Sequence, residues 1–178
     1  MEFKSQEEKY FSYYLDELKN AGFVSDYWYE PTSFVLSEKV KITVNGKSKT
    51  LFQEHIYTPD FKIQFNSVPE WLLSHPIINN IWWVDVKGTF NRHGGDRVFP
   101  INAKWMYQKH EIIVEKVIPQ KLFEKTFTPE IYLLTDISKQ KRKIKWQITT
   151  LKQKENLPKP KNTSKNKDHY TSETEKLM

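Results

Sequence analysis

The run Ile81-Trp82-Trp83-Val84-Asp85-Val86-Lys87-Gly88 limits the fold more than any other part of the chain. Its β-branched and aromatic residues predict a strand over residues 81–89, apolar enough to lie inside a sheet. Asp85 and Lys87 break that pattern. Two residues apart, they project from one face of an extended chain, and burying charge is costly unless it is paired or metal-bound. A second acid stands in similar surroundings in Tyr57-Thr58-Pro59-Asp60-Phe61, within a stretch that reads as a strand over residues 56–65. If the two strands are neighbours, Asp60 and Asp85 come close enough to share a hard divalent cation. The plainer reading makes Asp85 and Lys87 an intrastrand salt bridge at a sheet edge and Asp60 a turn residue after Pro59. Three polar groups in one apolar setting favour chemistry.

The rest of the chain supplies a frame for these strands. Ser5-Gln6-Glu7-Glu8 is a capping box, and Tyr10, Phe11, Tyr14, Leu15, Leu18 and Ala21 recur at helical spacing up to a stop at Gly22. Residues 27–36 and 40–52 read as β structure, interrupted by Pro31 and turning tightly at Asn45-Gly46. Residues 66–80, with Pro69 and Pro76, read as an irregular or short helical insertion between the two acidic strands. Residues 91–100 read as a mobile loop and 101–110 as a helix with Ala103, Met106 and Trp105 inward and Lys104 and Lys109 outward. Further strands are predicted over residues 112–118, 131–135 and 144–151. The pattern then fails, so residues 1–151 read as one globular unit and 152–178 as a basic, flexible tail. This order of elements predicts an α/β fold, a sheet with helices packed on its faces.

Composition narrows the partners. Lys and Arg number 28 against 22 Asp and Glu, a net +6 with a pI near 9.2, which leans toward a polyanion. Cysteine is absent, which excludes disulfides and thiolate zinc sites. Neither a signal-peptide core nor an apolar run of membrane-spanning length occurs, so the expectation is a soluble cytoplasmic protein with no membrane partner. Aromatic residues make up 15% of the chain, and Trp82 and Trp83 must point to opposite faces of their strand, so at least one is core.

Asp60 and Asp85 are thus candidate ligands for Mg²⁺, with Mn²⁺ as its substitute, and the backbone carbonyl of Val86 is a further one. Lys87 beside them would orient or activate the attacking water and offset developing negative charge, which is the equipment of phosphodiester hydrolysis. Glu8, at the start of a helix whose apolar face must pack on the sheet, is preferred over Glu7 as a third acid, although the capping box alone would account for it. Pro59-Asp60 followed by Asp85-x-Lys87 resembles the signature of the PD-(D/E)xK nuclease superfamily. Taken with Ser5-x-x-Glu8, Ala21-Gly22 and Val84-Asp85-Val86-Lys87-Gly88, the likeness extends to a family of small phage endonuclease-like proteins over roughly residues 3–110.

The resemblance implies a restriction-endonuclease-like mixed sheet flanked by helices. It implies Asp60, Asp85 and Glu8 as acids of a metal site and Lys87 as the catalytic lysine, acting on DNA in the host cytoplasm. The interval from Asp60 to Asp85 is longer than is common in the superfamily. Arg92, His93, Arg97 and Lys104 are candidate DNA contacts if the Gly94-Gly95 loop lies over the site; a solvated basic loop is the plainer alternative. The substrate stays open between branched DNA such as a Holliday junction, whose paired cuts call for a homodimer, and a transposon end. A non-catalytic nucleic-acid-binding module on the same fold is the reading from a different class.

Overall fold

A capping box opens the first helix. In the computed structural model, which describes residues 2–88 and 95–156, Ser5 Oγ accepts from the Glu8 N–H at 3.1 Å and Glu8 Oε2 accepts from the Ser5 N–H at 3.2 Å. The helix α1 (Gln6–Asn20) buries Phe11, Tyr14, Leu15 and Leu18 completely, so its three-to-four repeat becomes one face of the core. Ser5→Ala should lower stability by about 1 kcal/mol in urea unfolding, because it leaves a first-turn N–H without its acceptor.

Strands β1 (Val24–Tyr29), β2 (Phe34–Ser37), β3 (Val40–Val44), β4 (Lys47–Phe52), β5 (His55–Tyr57), β6 (Phe61–Phe65), β7 (Ile81–Val86) and β8 (Val114–Val117) follow, with α2 (Gly95–His110) between the last two. The main sheet has the order β1-β6-β7-β8, antiparallel except for the parallel pair β7-β8. A parallel pair needs a crossover, and α2 lies in that connection. Alternation along the strands then sorts the core. Phe61, Ile63, Phe65, Trp82, Val84 and Val86 join the cluster with α1, and α3 (Pro119–Lys125) adds Leu122 and Phe123 to it. A second cluster, Leu36, Tyr57, Met106 and Val114 with half-buried Trp83 and Trp105, brings α2 against the other face. Mixed α/β architecture with helices on the sheet is therefore what the chain adopts.

The insertion at 66–80 does not prevent pairing. Its short 3₁₀ turn, Glu70–Leu72, buries Leu72, and the Phe65 N–H donates to the Asn80 carbonyl at 2.8 Å, closing the loop at its base. Asn79 and Asn80 take φ of 52° and 62°, a left-handed pair that reverses the chain and delivers β7 antiparallel beside β6, Phe61 opposite Val84. The insertion stands at the end of β7 remote from Asp85.

Several predicted boundaries are corrected. Residues 56–65 are two strands, because the chain leaves its pairing with β2 at Tyr57 and takes up pairing with β1 and β7 at Phe61; Pro59 lies in the break and has no N–H to give a ladder. Helix α2 begins at Gly95 and carries Pro100 within it, and α3 was not predicted. Residues 131–135 are not a strand: Pro129 starts a 3₁₀ turn, Ile131–Leu133, in which Tyr132 turns inward and Ile131 outward. Residues 144–151 are likewise not a strand, and Thr128 N–H reaches the Thr149 carbonyl singly at 2.8 Å. Between these two stretches, residues 136–142 are tied to α1 by side chains. Asp136 accepts from Gln6 and Lys9 and pairs with Arg142, whose guanidinium stands 4.8 Å from the Tyr10 ring and 4.9 Å from Tyr132. The start of the predicted tail is helical, α4 (Leu151–Glu155), with Leu151 buried; residues 157–178 lie outside the described residues. Among the described residues, no helix is long and apolar enough to cross a membrane.

Candidate active site

Asp85 ends the α2-side row of β7, one place before the strand ends, and is 3% exposed. Lys87 follows on the same face, and its ammonium lies 2.6 Å from Asp85 Oδ2 as an ion pair. The lysine reaches toward solvent while the acid stays inside, with side-chain exposures of 28% and 5%.

Asp60 sits in the gap between β5 and β6. Its carbonyl accepts from the Glu30 N–H at 2.8 Å, and its Oδ2 accepts from the Val86 N–H at 2.6 Å. That amide belongs to the peptide joining Asp85 to Val86, so the two acids stand one peptide apart. The break in the strand makes this possible: a residue inside a continuous ladder would offer its backbone, not its side chain, to the Val86 amide. Burial pushes the Asp60 carboxyl up to about 7, and the nearby charge of Asp85 adds to that rise against the opposing pull of the Val86 N–H and Lys87. Burial also pushes the Asp85 carboxyl up, although Lys87 and Tyr57 favour its ionised form.

Glu8 faces inward and is buried, and its charge raises both aspartates. Three donors converge on Glu8 Oε2: the N–H groups of Lys4 at 2.9 Å and Ser5 at 3.2 Å, and the Tyr29 hydroxyl at 2.6 Å. The cap and the inward acid are therefore one residue. Glu7 lies to the side, its Oε1 3.2 Å from where a side chain on Gly88 would begin, so Gly88 leaves room for it.

Tyr57, for which the sequence signals no role, also belongs here. It is 8% exposed, and burial, the Asp85 charge and the approach of its hydroxyl to the Asp85 carboxylate push that hydroxyl up. The Tyr57 hydroxyl therefore lies beside the Asp85 carboxylate, whose Oδ2 meets Lys87. Only its position at the head of the Tyr-Thr-Pro-Asp run could have signalled this.

The predicted DNA contacts fare differently. Arg92 and His93 lie outside the described residues, as does the Arg97 side chain; Lys104 is exposed on α2. Trp82 is wholly core, with Trp83 on the face of Asp85 and Lys87, packed edge-on against Phe34. Lys62 lies between Trp83 and Trp28, 5.5 and 5.3 Å from their ring centres.

The donors suit a hard cation. Asp60 is half-buried and Asp85 buried, burial raises the proton affinity of both carboxyls, and each adds to the negative charge around the other's side of the Val86 peptide. Among the described residues, no group of three or more His, Asp and Glu is arranged to hold a metal ion. The set on offer is two carboxylates with peptide oxygens, and Mg²⁺ habitually completes such a set with water. Comparisons with protein-family models, with curated proteins and with solved structures gave no match.

Proposed function

We propose that this chain is a metal-dependent DNA endonuclease of the PD-(D/E)xK type on a restriction-endonuclease-like core. The observation that carries the reading is the Asp60 carboxylate bonded to the Val86 amide, beside Asp85 and with Lys87 at the rim. Two carboxylates drawn together in a largely buried setting are costly to the fold, and such costs concentrate where a ligand relieves them.

Asp60 and Asp85, with the backbone carbonyl of Val86, would hold Mg²⁺ or Mn²⁺, and Glu8, whose Oε2 is engaged by Lys4, Ser5 and Tyr29, would add its negative charge beside them rather than a third ligand. A cation bound there supplies Lewis-acid stabilisation to a phosphodiester under attack by water. Lys87 keeps its ammonium at the mouth, where it orients that water and meets the negative charge that develops on phosphate. Tyr57 holds the inner side of Asp85 and shuts out bulk solvent. The net charge of +6 favours a polyanionic substrate. The resemblance points to phage DNA recombination, replication or processing, with branched DNA as the first substrate to try and a dimer as its corollary.

The test is a substrate panel of supercoiled plasmid and a four-way junction with Mg²⁺, Mn²⁺ or EDTA. Cleavage should need metal and should fall by about 10²–10³-fold or more in Asp85→Asn, the range for loss of one electrostatic contributor to a transition state. Binding without cleavage in every metal, unchanged in Asp85→Asn, defeats the enzyme reading and leaves a DNA-binding module.

A further inference from the structure

The site is the root of a long two-stranded arm. β2 pairs with β5 and β3 with β4, both antiparallel, so residues 34–57 run out and back as one interrupted ribbon that turns at Asn45-Gly46. The turn is the tight kind that matches strand twist, with φ of 51° at Asn45 and 75° at Gly46. The base is anchored: Leu36 and Tyr57 are buried with Met106 of α2, and His55 Nε2 lies 2.7 Å from Asn102 Oδ1. Tyr57 borders Asp85, and Asp60 follows three residues later. Beyond the base, the outer arm is exposed along both strands. At ~3.3 Å per residue, the outer ribbon of five to six residues per strand extends on the order of 17 Å past its anchor.

An isolated hairpin is marginal in water, so an exposed one with apolar side chains implies a partner. Register shows which side chains share a face. Val40, Ile42 and Val44 stand opposite Phe52, Lys49 and Lys47, and Lys41 and Thr43 stand opposite Thr50 and Ser48. Phe52 is 62% exposed and Val44 46%. Lys39, Lys41, Lys47 and Lys49 are the charged residues of 39–53, with Glu38 and Glu54 flanking them at the base, so positive charge is concentrated toward the outer end of the arm. That charge decides between occupants. Two copies pairing arm to arm would bring like charges together, whereas a duplex supplies phosphates for the lysines. A two-stranded ribbon also has the width that the major groove admits, with apolar side chains left to meet base edges such as thymine methyls.

We propose that the β3–β4 arm is a duplex-binding element that enters the groove beside the scissile phosphate, with Lys47 and Lys49 on flanking phosphates and Ile42 and Val44 toward the bases. The inference rests on the DNA reading above and assigns the arm the task of placing the duplex over the site.

The experiment is fluorescence anisotropy of a labelled duplex with the full chain in EDTA, across a salt series. The wild type is compared with Lys47→Glu/Lys49→Glu and with a control of equal charge change, Lys143→Glu/Lys145→Glu, on exposed positions elsewhere. The arm variant should lose affinity about 10-fold or more, and its slope of log affinity against log salt should be shallower by about 2, while the control loses much less. Thermal melting of both variants close to the wild type establishes folding. Wild-type affinity and slope in the arm variant, an equal loss in the control, or a change of oligomeric state with DNA binding intact overturns the proposal. Cleavage is read separately at low salt with enzyme in excess, where the arm variant should still cut. A wild type that binds through the arm but never cleaves defeats the nuclease reading alone; one that cleaves while the arm variant binds normally defeats the arm alone.

Discussion

Asp60→Asn is expected to melt at a higher temperature than the wild type at pH 8 in EDTA, and to leave DNA uncut when Mg²⁺ is returned. The Asp60 carboxyl has an ordinary value of 3.8 and is pushed up to about 7 in the fold, by burial first and by Asp85 second. The folded chain therefore binds a proton that the unfolded chain has released between those values. By linkage, stability falls as pH rises from about 4 to about 7, and above that range the folded chain carries the whole penalty. Asparagine removes it while keeping an oxygen for the Val86 N–H. A gain on the order of 1–3 kcal/mol follows, discounted from the ~1.4 kcal/mol that each tenfold rise in proton affinity represents. The check is a series of melts from pH 4 to pH 8: the wild type should lose stability across it relative to the variant, and the two should converge at the acid end. A lower melting temperature for Asp60→Asn at pH 8 would mean that the carboxylate stabilises the metal-free fold, and the site would have to be redrawn. Gain in stability with loss of cleavage separates a residue kept for chemistry from one kept for packing.

The second large effect belongs to the tryptophan beside the site strand's start. Trp82 is fully buried, meets Phe11 edge-on at 5.9 Å, touches Phe65 and His75, and donates its indole N–H to Glu115 Oε2 at 2.8 Å. Glu115 also lies 2.9 Å from His75 Nδ1, so one side chain ties β7 to β8 and to the 66–80 insertion. Trp82→Ala should cost about 3–5 kcal/mol in urea unfolding, the range for large-to-small replacement in a close-packed core. Trp82→Phe should cost clearly less, because it keeps much of the volume and loses chiefly the bond to Glu115. Equal losses in the two variants would assign the stabilisation to the hydrogen bond rather than to packing.

These two positions also show where reading a sequence succeeds. Trp82 and Trp83 alternate along one strand, and strand geometry alone sends them to opposite faces; the same geometry puts Asp85 and Lys87 together. The Ser5-x-x-Glu8 box was equally legible, since both of its bonds lie within one turn of helix. Asp60 was legible as an acid but not as a break: the apolar letters on either side of Thr58-Pro59-Asp60 read through it, while the change of pairing partner at that point is a long-range event. Residues 131–135 misled for a related reason. Ile-Tyr-Leu-Leu has strand composition, but a 3₁₀ turn forms over Ile131–Leu133 and Leu134 makes a lone bridge to Lys141, so of this run only Tyr132 is buried. Tyr57 escaped because nothing local says that its hydroxyl will be sealed beside Asp85.

What the sequence determined by itself is the set of local facts: α1 and its cap, the turn at Asn45-Gly46, the strand that carries Asp85 and Lys87 on one face, and the acid after Pro59. Each depends on contacts within a few residues, and such contacts are present in any fold the chain adopts. Only the tertiary structure decided that Asp60 and Asp85 lie one peptide apart, that Glu8 turns its charge toward them, and that a basic arm rises from the same root. Those arrangements depend on closing the 66–80 loop, on pairing β6 with β7 and on docking α1 and α2 to opposite faces. The free energy for them comes from burying aromatic surface across the whole sheet, which no single stretch of the chain contains.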